Sequence, residues 1–157
     1  MVKTGIGYDV HPLAEGVTLI IGGVKIDSPR GSVGHSDGDV LFHAVVDALL
    51  GAANLGDIGQ HFPSSDGRWQ GKESIHFLEH AAELIRKEGF EIDHIDSTVI
   101  LEEPKLADII PEMTYKISYT LRIEESAVSI KATTTDKMGF IGRGEGVGAV
   151  AVATISK

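Results

Sequence analysis

The feature of this sequence that most constrains its fold is the run at residues 147–155, where nearly every residue is apolar. A membrane-spanning helix needs about 20 such residues, so this run is too short to be one. Continuous apolar character over a short length is typical of a strand that is buried on both faces. We therefore expect residues 147–155 to form an interior strand with both faces covered.

The remaining chain alternates between strand patterns and helix patterns. The first strand is expected at residues 2–11 and should end at His11-Pro12, because the residue before a proline favours a strand end or a turn. The pattern further predicts a hairpin at 19–26 that turns at Gly22-Gly23, helices at 37–54, 72–88 and 111–121, strands at 92–101 and 128–135, and a long loop at 55–67. Long loops are uncommon in compact domains and often functional, so the 55–67 loop is a candidate site.

The composition is that of an ordinary globular domain, with 42% apolar and 24% charged residues in a chain of 157. The formal net charge of −9 argues against a nucleic-acid surface, although local lysines, helix N-termini or metals can still bind a small anion. The absence of cysteine excludes disulfides, a thiol nucleophile and a cysteine-ligated metal. Because neither a membrane span nor a leader peptide is evident, we expect a soluble, cytoplasmic protein with no nucleic-acid or membrane partner.

Two histidines and two aspartates lie within residues 35–43, where the first helix is expected to begin. Ser36 is the predicted N-cap, with Asp39 three residues later as in a capping box. Asp39, His43 and Asp47 follow at helical spacing and would place an imidazole between two carboxylates. Metal-binding histidines often have a carboxylate on the far ring nitrogen. The alternative is a solvated helix face with an incidental histidine.

Asp9 and His11 are two residues apart in the first predicted strand, so they share one side of it. If the end of that strand meets the helix that carries His43, one carboxylate and two imidazoles converge. Three protein ligands with an open position are typical of catalytic zinc. A surface aspartate beside a strand-end histidine is the simpler interpretation, and spacing alone leaves both open.

The segment at residues 131–146 combines hydroxyls, a carboxylate, cations and four glycines. Hydroxyls and backbone N–H groups that follow a strand can hold phosphate oxygens, and the carboxylate of Asp136 suits Mg²⁺. Arg143 suits bidentate binding of a phosphate. The alternative is an ordinary glycine-rich turn after β-prone threonines.

A second metal motif, His76-x-x-Glu79-His80, matches the pattern of inverted zinc peptidases on a predicted helix. A five-residue pattern arises easily by chance in a chain with seven histidines, so we favour a solvent-facing histidine pair. His61 and His94 are expected to be loop or surface residues.

Four motifs occur together in this chain: GYDVH at 7–11, GHSDGD at 34–39 followed by His43, LGDIG at 55–59, and the segment 131–146. In this order and spacing the sequence resembles the 2-C-methyl-D-erythritol 2,4-cyclodiphosphate synthases in their monofunctional form. The resemblance implies conversion of 4-diphosphocytidyl-2-C-methyl-D-erythritol 2-phosphate to 2-C-methyl-D-erythritol 2,4-cyclodiphosphate and CMP, in the non-mevalonate route to isoprenoid precursors. It also implies a homotrimer with active sites between subunits.

The same resemblance implies roles for individual residues. Zn²⁺ or another divalent cation would be held by Asp9, His11 and His43. Mg²⁺ or Mn²⁺ on the diphosphate would be held by Asp136, where the family more often has Glu. His35 and Thr134 would stabilise the transition state. The implied substrate-binding residues are Asp9, Val10, His11, His35, Ser36, Asp57, Ile58, Gly59, Phe62, Pro63, Ser64, Ser65, Asp66, Leu101, Glu102, Glu103, Pro104, Lys105, Leu106, Ala107, Thr133, Thr134, Thr135, Asp136, Phe140 and Arg143.

We predict a single domain over residues 1–157 with an α+β fold, a two-layer sandwich in which helices pack on one face of a mixed β-sheet. The predicted function is the lyase reaction on the cytidine diphosphate substrate. Two other functions stay open from the residues alone: a zinc-dependent hydrolase that uses the same three ligands, and a metal- or nucleotide-binding subunit without turnover.

Overall fold

The computed structural model describes residues 1–157 and is built on a five-stranded mixed sheet. The strands are β1 (Val2–Glu15), β2 (Leu19–Ile21), β3 (Val24–Ile26), β4 (Arg30–Ser32), β5 (Glu91–Ile100), β6 (Val128–Thr133) and β7 (Gly146–Ser156). The main sheet has the order β4-β1-β7-β5-β6, and β2 and β3 form a separate hairpin. Strands β5 and β6 pair in parallel and the other neighbours are antiparallel, so the sheet is mixed as predicted.

The helices are α1 (Val40–Ala52), α2 (Ile58–His61), α3 (Ser74–Lys87), α4 (Ile110–Leu121) and α5 (Gly139–Gly142). Helix α1 lies directly on β1 and β7, and α3 packs against α1 and also contacts β5. This arrangement confirms the two-layer α+β sandwich. No helix combines the length and apolar composition that a bilayer crossing requires.

Strand β7 is buried on one face only. Alternate residues from Val147 to Ile155 are fully buried against the helices, whereas Val150 and Val152 are half-buried on the other face. The expectation that both faces are covered was wrong for the single chain, because every long helix packs on the same side of the sheet. The open face continues onto β1, where Ile6 and Tyr8 are 71% and 61% exposed.

Strand β1 does not end at His11-Pro12 but continues to Glu15. The carbonyl oxygen of Pro12 accepts from the backbone N–H of Val33 at 2.9 Å, and Leu13 to Glu15 pair with β4. The missing N–H of Pro12 therefore does not stop the strand, because a second partner strand takes over at this point.

Helix α1 begins later than predicted, and its N-cap is Asp39 rather than Ser36. The fully buried Asp39 carboxylate accepts from the backbone N–H of Phe42 at 3.1 Å. It also accepts from the N–H groups of Gly22 at 2.9 Å and Gly23 at 2.7 Å in the β2–β3 turn. Asp39 is thus the better cap because it joins the helix to the hairpin.

The other predicted elements are present with shifted ends: α3 starts at Ser74 rather than 72, β6 ends at Thr133 rather than 135, and the 55–67 loop contains the short helix α2. Helix ends depend on caps, which hydrophobic periodicity does not reveal.

Candidate active site

Asp9, His11 and His43 converge where β1 crosses the start of α1. The Asp9 Oδ2 atom lies 2.8 Å from His11 Nε2 and 3.2 Å from His43 Nδ1, and the two nitrogens are 3.4 Å apart. Two ligands of a tetrahedral zinc ion, each bonded at about 2.0–2.1 Å, lie about 3.3 Å apart. This is the one group of three acidic or histidine side chains in the chain whose ligand atoms could hold a metal ion.

The donor atoms of this group lack other partners. Asp9 Oδ2 is buried and contacts the two ring nitrogens without a hydrogen bond of good geometry, and such unsatisfied buried oxygens are rare. A cation at this point would satisfy it. Burial alone would raise the pKa of Asp9, but the contacts with His11 and His43 outweigh it and hold this pKa at about 2. Asp9 is therefore ionised at neutral pH, as a metal ligand must be. The Asp9 contact in turn raises the pKa of His11.

The remaining ring nitrogens of both histidines have partners. His11 Nδ1 lies 3.1 Å from the carbonyl oxygen of Val33, which leaves Nε2 free on the side of Asp9. His43 Nε2 lies 2.8 Å from Ser74 Oγ and 3.0 Å from Ser36 Oγ, which leaves Nδ1 free on the same side. Both rings thus present a free nitrogen to one point.

The predicted stripe of Asp39, His43 and Asp47 does not supply a carboxylate to the histidine ring. Asp39 caps α1, and Asp47 Oδ1 accepts from the backbone N–H of Ile58 at 2.8 Å. This expectation was wrong because both carboxylates are used by backbone N–H groups, and the groups at the far ring nitrogen of His43, Nε2, are the hydroxyls of Ser74 and Ser36.

A cavity of about 360 Å³ opens beside the three ligands. Its lining contains eight residues predicted for the substrate besides His11 and His43: His35, Ser36, Ile58, Gly59, Phe62, Pro63, Ser64 and Ser65. It also contains three residues that were not predicted: Trp69, Gln70 and Phe77.

The unpredicted aromatic residues form one wall of this cavity around Phe62. The ring centroid of Phe62 is 4.8 Å from that of Trp69 and 4.5 Å from that of Phe77. The one tryptophan of the chain, located just beyond the candidate loop, was a signal that sequence reasoning overlooked.

Three predicted substrate residues have other roles or directions in the single chain. Asp57 caps α2 by accepting from the backbone N–H of Gln60 at 2.9 Å. Asp66 accepts from Arg68 at 2.6 Å, and this contact lowers the pKa of Asp66. The Val10 side chain lies on the opposite side of β1 from those of Asp9 and His11, because successive side chains in a strand point to opposite faces.

Five of the residues predicted for the nucleotide side line a second cavity of about 640 Å³: Leu101, Glu102, Glu103, Pro104 and Lys105. Its lining also includes Arg30, Lys137 and Arg143, but not the predicted residues 133–135. Leu106 is instead buried in the core, and Ala107 is exposed. The two cavities have no lining residue in common, so the predicted substrate residues form two separate groups in one chain.

The turn after β6 carries Asp136, which is exposed and does not belong to the three-ligand group. Asp136 and Lys137 have left-handed backbones, with φ of 52° and 64°. Aspartate tolerates this conformation better than glutamate does, which gives a physical reason for its presence here. Glu102 holds the turn, because its carboxylate accepts from the backbone N–H groups of Thr135 at 3.2 Å and Lys137 at 3.0 Å.

Four of the predicted residues in this segment, Thr133, Thr134, Phe140 and Arg143, are exposed, and Thr135 is half-buried. Among the cations, Lys131 pairs with Asp96, and Arg143 pairs with Glu145 at 2.9 Å. Lys105 and Lys137 make no ion pair and remain available to an anion in the second cavity.

The His76-x-x-Glu79-His80 motif does not form a metal group. His76 Nδ1 lies 3.3 Å from Glu79 Oε2 on the exposed face of α3. His80 packs its ring against Phe62, with centroids 5.4 Å apart. The prediction of a solvent-facing pair therefore holds for His76 but not for His80, which is half-buried.

Known proteins match this chain over nearly its whole length. The YgbB family model matches residues 2–156. A protein of Chlorobium phaeobacteroides named 2-C-methyl-D-erythritol 2,4-cyclodiphosphate synthase is 55% identical over 153 residues, which are 98% of this chain and 97% of that protein.

Solved structures give the same result. The bifunctional IspDF from Campylobacter jejuni matches with a TM-score of 0.94 and 42% identity over 99% of this chain; the match covers 42% of that longer protein. The Plasmodium falciparum IspF in complex with CDP matches with a TM-score of 0.86 and 36% identity, over 98% of this chain and 95% of that one. From the full-length family match and these identities, the chain belongs to the YgbB family.

Proposed function

We propose that the chain catalyses the 2-C-methyl-D-erythritol 2,4-cyclodiphosphate synthase reaction, a phosphorus–oxygen lyase step in the non-mevalonate route to isoprenoid precursors. The substrate is 4-diphosphocytidyl-2-C-methyl-D-erythritol 2-phosphate, and the products are the cyclic diphosphate and CMP. The observation that carries this proposal is the convergence of Asp9, His11 and His43 beside a cavity, in a chain whose full-length relatives bear this enzyme name.

In this reaction an oxygen of the 2-phosphate attacks the β-phosphorus. One phosphorus–oxygen bond forms, the bond between the β-phosphorus and the oxygen of CMP breaks, and CMP leaves with the electron pair. Repulsion between two anionic groups opposes the attack, so positioning and positive charge matter more than a strong base. A protein of net charge −9 therefore needs local cations at its site.

Asp9, His11 and His43 are the proposed ligands of Zn²⁺, because two imidazoles and a carboxylate form a zinc-type donor set. When bound, Zn²⁺ supplies a Lewis acid and a template for the phosphate groups. Asp136 is the proposed ligand of Mg²⁺ or Mn²⁺ on the diphosphate, since these ions prefer oxygen ligands and often bind substrate phosphates.

The chain's own groups are proposed to bind and orient the substrate. His35 lies at the first cavity and Thr134 on the turn after β6, and both are proposed to stabilise the transition state. The loop at 57–66 would hold the erythritol part beside the metal ligands. Lys105 and the turn at 133–137 would hold the cytidine and phosphate side.

We also propose a homotrimer with active sites between neighbouring subunits. The open sheet face with Ile6 and Tyr8 is an apolar surface of the kind that marks a protein interface. The first cavity contains nine of the predicted substrate residues and the second contains six others, and the two have no lining residue in common. A neighbouring subunit would bring the second cavity of one chain to the metal ligands of the next.

The whole chain, residues 1–157, is proposed to be one domain, which a single apolar cluster with members from Leu19 to Ile155 supports. We place the reaction in the cytoplasm, because multiply charged phosphate esters do not cross a bilayer unaided.

Phosphorus NMR on the purified protein with the diphosphocytidyl substrate, Zn²⁺ and Mg²⁺ tests the function. We expect two resonances of a cyclic diphosphate to appear together with CMP, and no product in a matched sample with excess chelator. A linear phosphate product would favour the zinc hydrolase instead. An unchanged substrate spectrum with zinc bound would favour a binding subunit without turnover.

A further inference from the structure

A chain of polar groups leads away from the ring of His43 on the side opposite Asp9. His43 Nε2 lies 2.8 Å from Ser74 Oγ. The Ser74 hydroxyl donates to Asp37 Oδ1, and the Ser74 backbone N–H donates to Asp37 Oδ2 at 2.9 Å. Ser74 is fully buried, at 0% exposure.

The direction of these hydrogen bonds follows from the chemistry of the groups. A carboxylate only accepts, so the Ser74 hydroxyl proton is used on Asp37 and an oxygen lone pair faces His43. Ser36 Oγ also lies 3.0 Å from His43 Nε2, and the Ser36 hydroxyl can donate to Ser74 Oγ at 3.2 Å. In this arrangement His43 Nε2 carries the proton and donates it to the two hydroxyl oxygens. His43 Nδ1 is left with its lone pair free, 3.2 Å from Asp9 Oδ2. This is the tautomer that a metal ligand at Nδ1 requires.

Asp37 also fixes where the hydroxyl lies. Its Oδ1 accepts from the backbone N–H of Asp39, the N-cap of α1, at 3.0 Å. The Asp37 carboxylate also accepts from the backbone N–H of Ser74, the first residue of α3. It thereby replaces the N-cap hydrogen bond that the Glu73 side chain does not make. One carboxylate thus joins the starts of α1 and α3 and sets the position of Ser74 relative to His43.

We propose that Ser74 and Asp37 are positioning residues that hold His43 in the Nε2–H tautomer and orient Nδ1 for the metal. This inference rests on the proposed metal centre at Asp9, His11 and His43. Groups that orient a metal ligand typically change metal affinity by about 10–100-fold when removed.

The test measures the Zn²⁺ dissociation constant by chelator competition for the full chain and for Ser74→Ala, Asp37→Asn and Ser118→Ala. Ser118 is a matched control, because it is also buried, at 3% exposure, and its hydroxyl bonds only within α4, to the carbonyl oxygen of Tyr115. We expect Zn²⁺ binding to weaken by about 10–100-fold in Ser74→Ala and Asp37→Asn and to be unchanged in Ser118→Ala. The visible absorption of bound Co²⁺ should change in the first two variants only, and Ser74→Thr, which keeps the hydroxyl, should restore affinity.

Zinc affinity of Ser74→Ala within threefold of the wild type, with an unchanged Co²⁺ spectrum, would overturn the inference even if the variant melts at a lower temperature. If Ser74→Ala does not fold, unchanged zinc affinity in Asp37→Asn overturns it in the same way, and weakened affinity supports it. Absence of Zn²⁺ binding by the wild type would be a distinct result, which removes the proposed metal centre and this inference with it.

Discussion

Gly7 of β1 lies so close to Ala44 of α1 that a Cβ added to Gly7 would be 1.9 Å from the Ala44 carbonyl oxygen. Asp9 follows Gly7 by two residues on the same side of the strand, and His43 immediately precedes Ala44. The Gly7–Ala44 contact therefore sets the distance between the ligands of the strand and the ligand of the helix.

Gly7→Ala is expected to force β1 and α1 apart. Overpacking of this kind costs about 1–3 kcal/mol or more, and it should weaken zinc binding because Asp9 and His43 no longer meet. Urea unfolding and a zinc titration measure both effects. Gly67→Ala is the control, since nothing lies within 4 Å of a Cβ at that position, and it should change stability by less than about 0.5 kcal/mol. Equal stability of the two variants would contradict this account of the contact.

Removal of divalent metal is expected to abolish turnover and lower the melting temperature, because a ligand that binds only the folded state stabilises it. Zinc at 100 times its dissociation constant should add about 2.7 kcal/mol to the free energy of unfolding. Calorimetry with and without zinc measures this gain for the wild type and for His43→Ala. The prediction fails if His43→Ala gains as much stability from zinc as the wild type does.

Glu102→Ala is expected to loosen the turn at 133–137, because the backbone N–H groups of Thr135 and Lys137 lose their acceptor. We expect KM for the diphosphocytidyl substrate to rise by about 5–30-fold, the equivalent of about 1–2 kcal/mol for a lost charged acceptor. Zinc affinity should stay unchanged. Glu83→Ala is the control, because Glu83 is exposed on α3 and lines neither cavity. Equal KM values for the two variants would show that the Glu102 carboxylate does not position the turn.

Asp39 should make stability depend on pH. Burial raises the pKa of Asp39 to about 6, although three backbone N–H donors favour its ionised form. The folded state thus binds this proton more tightly than the unfolded state, so the contribution of Asp39 is fully present below about pH 4 and is lost as pH rises through about 6. The loss amounts to about 3 kcal/mol for a rise of about two pH units.

Urea unfolding at several pH values between 4 and 7 measures this effect as the difference between the wild type and Asp39→Asn, in which the other titrating groups cancel. As pH rises, the free energy of unfolding of the wild type should fall relative to that of Asp39→Asn. A difference that is constant with pH would show that folding does not raise the pKa of Asp39.

Ile6→Lys is expected to dissociate the proposed trimer, because a charge would be placed in the apolar open face of the sheet. Light scattering after size-exclusion chromatography measures the mass, and turnover should fall with it if the sites lie between subunits. Tyr119→Lys is the control, since Tyr119 is 72% exposed on α4, in the helix layer. A monomeric wild type, or an Ile6→Lys variant that keeps the wild-type mass, would refute the proposed interface.

Much of this architecture could be predicted from the sequence, because its causes are local. Hydrophobic periodicity revealed α1, α3 and α4, alternation revealed β1, and the Gly22-Gly23 pair revealed the hairpin. The same local order identified Asp9, His11 and His43 as candidates, since two of them share a strand face and the third lies at the start of a helix.

Only the tertiary structure decided which groups surround these residues. Ser74 is 31 residues from His43 in the chain, so no periodicity could show that its hydroxyl, and not Asp39 or Asp47, contacts the ring. Trp69, Phe77 and Arg30 reach the two cavities for the same reason. The sequence could not predict that one face of β7 is only half-buried in the single chain. An apolar strand has the same composition whether helices or another subunit cover it.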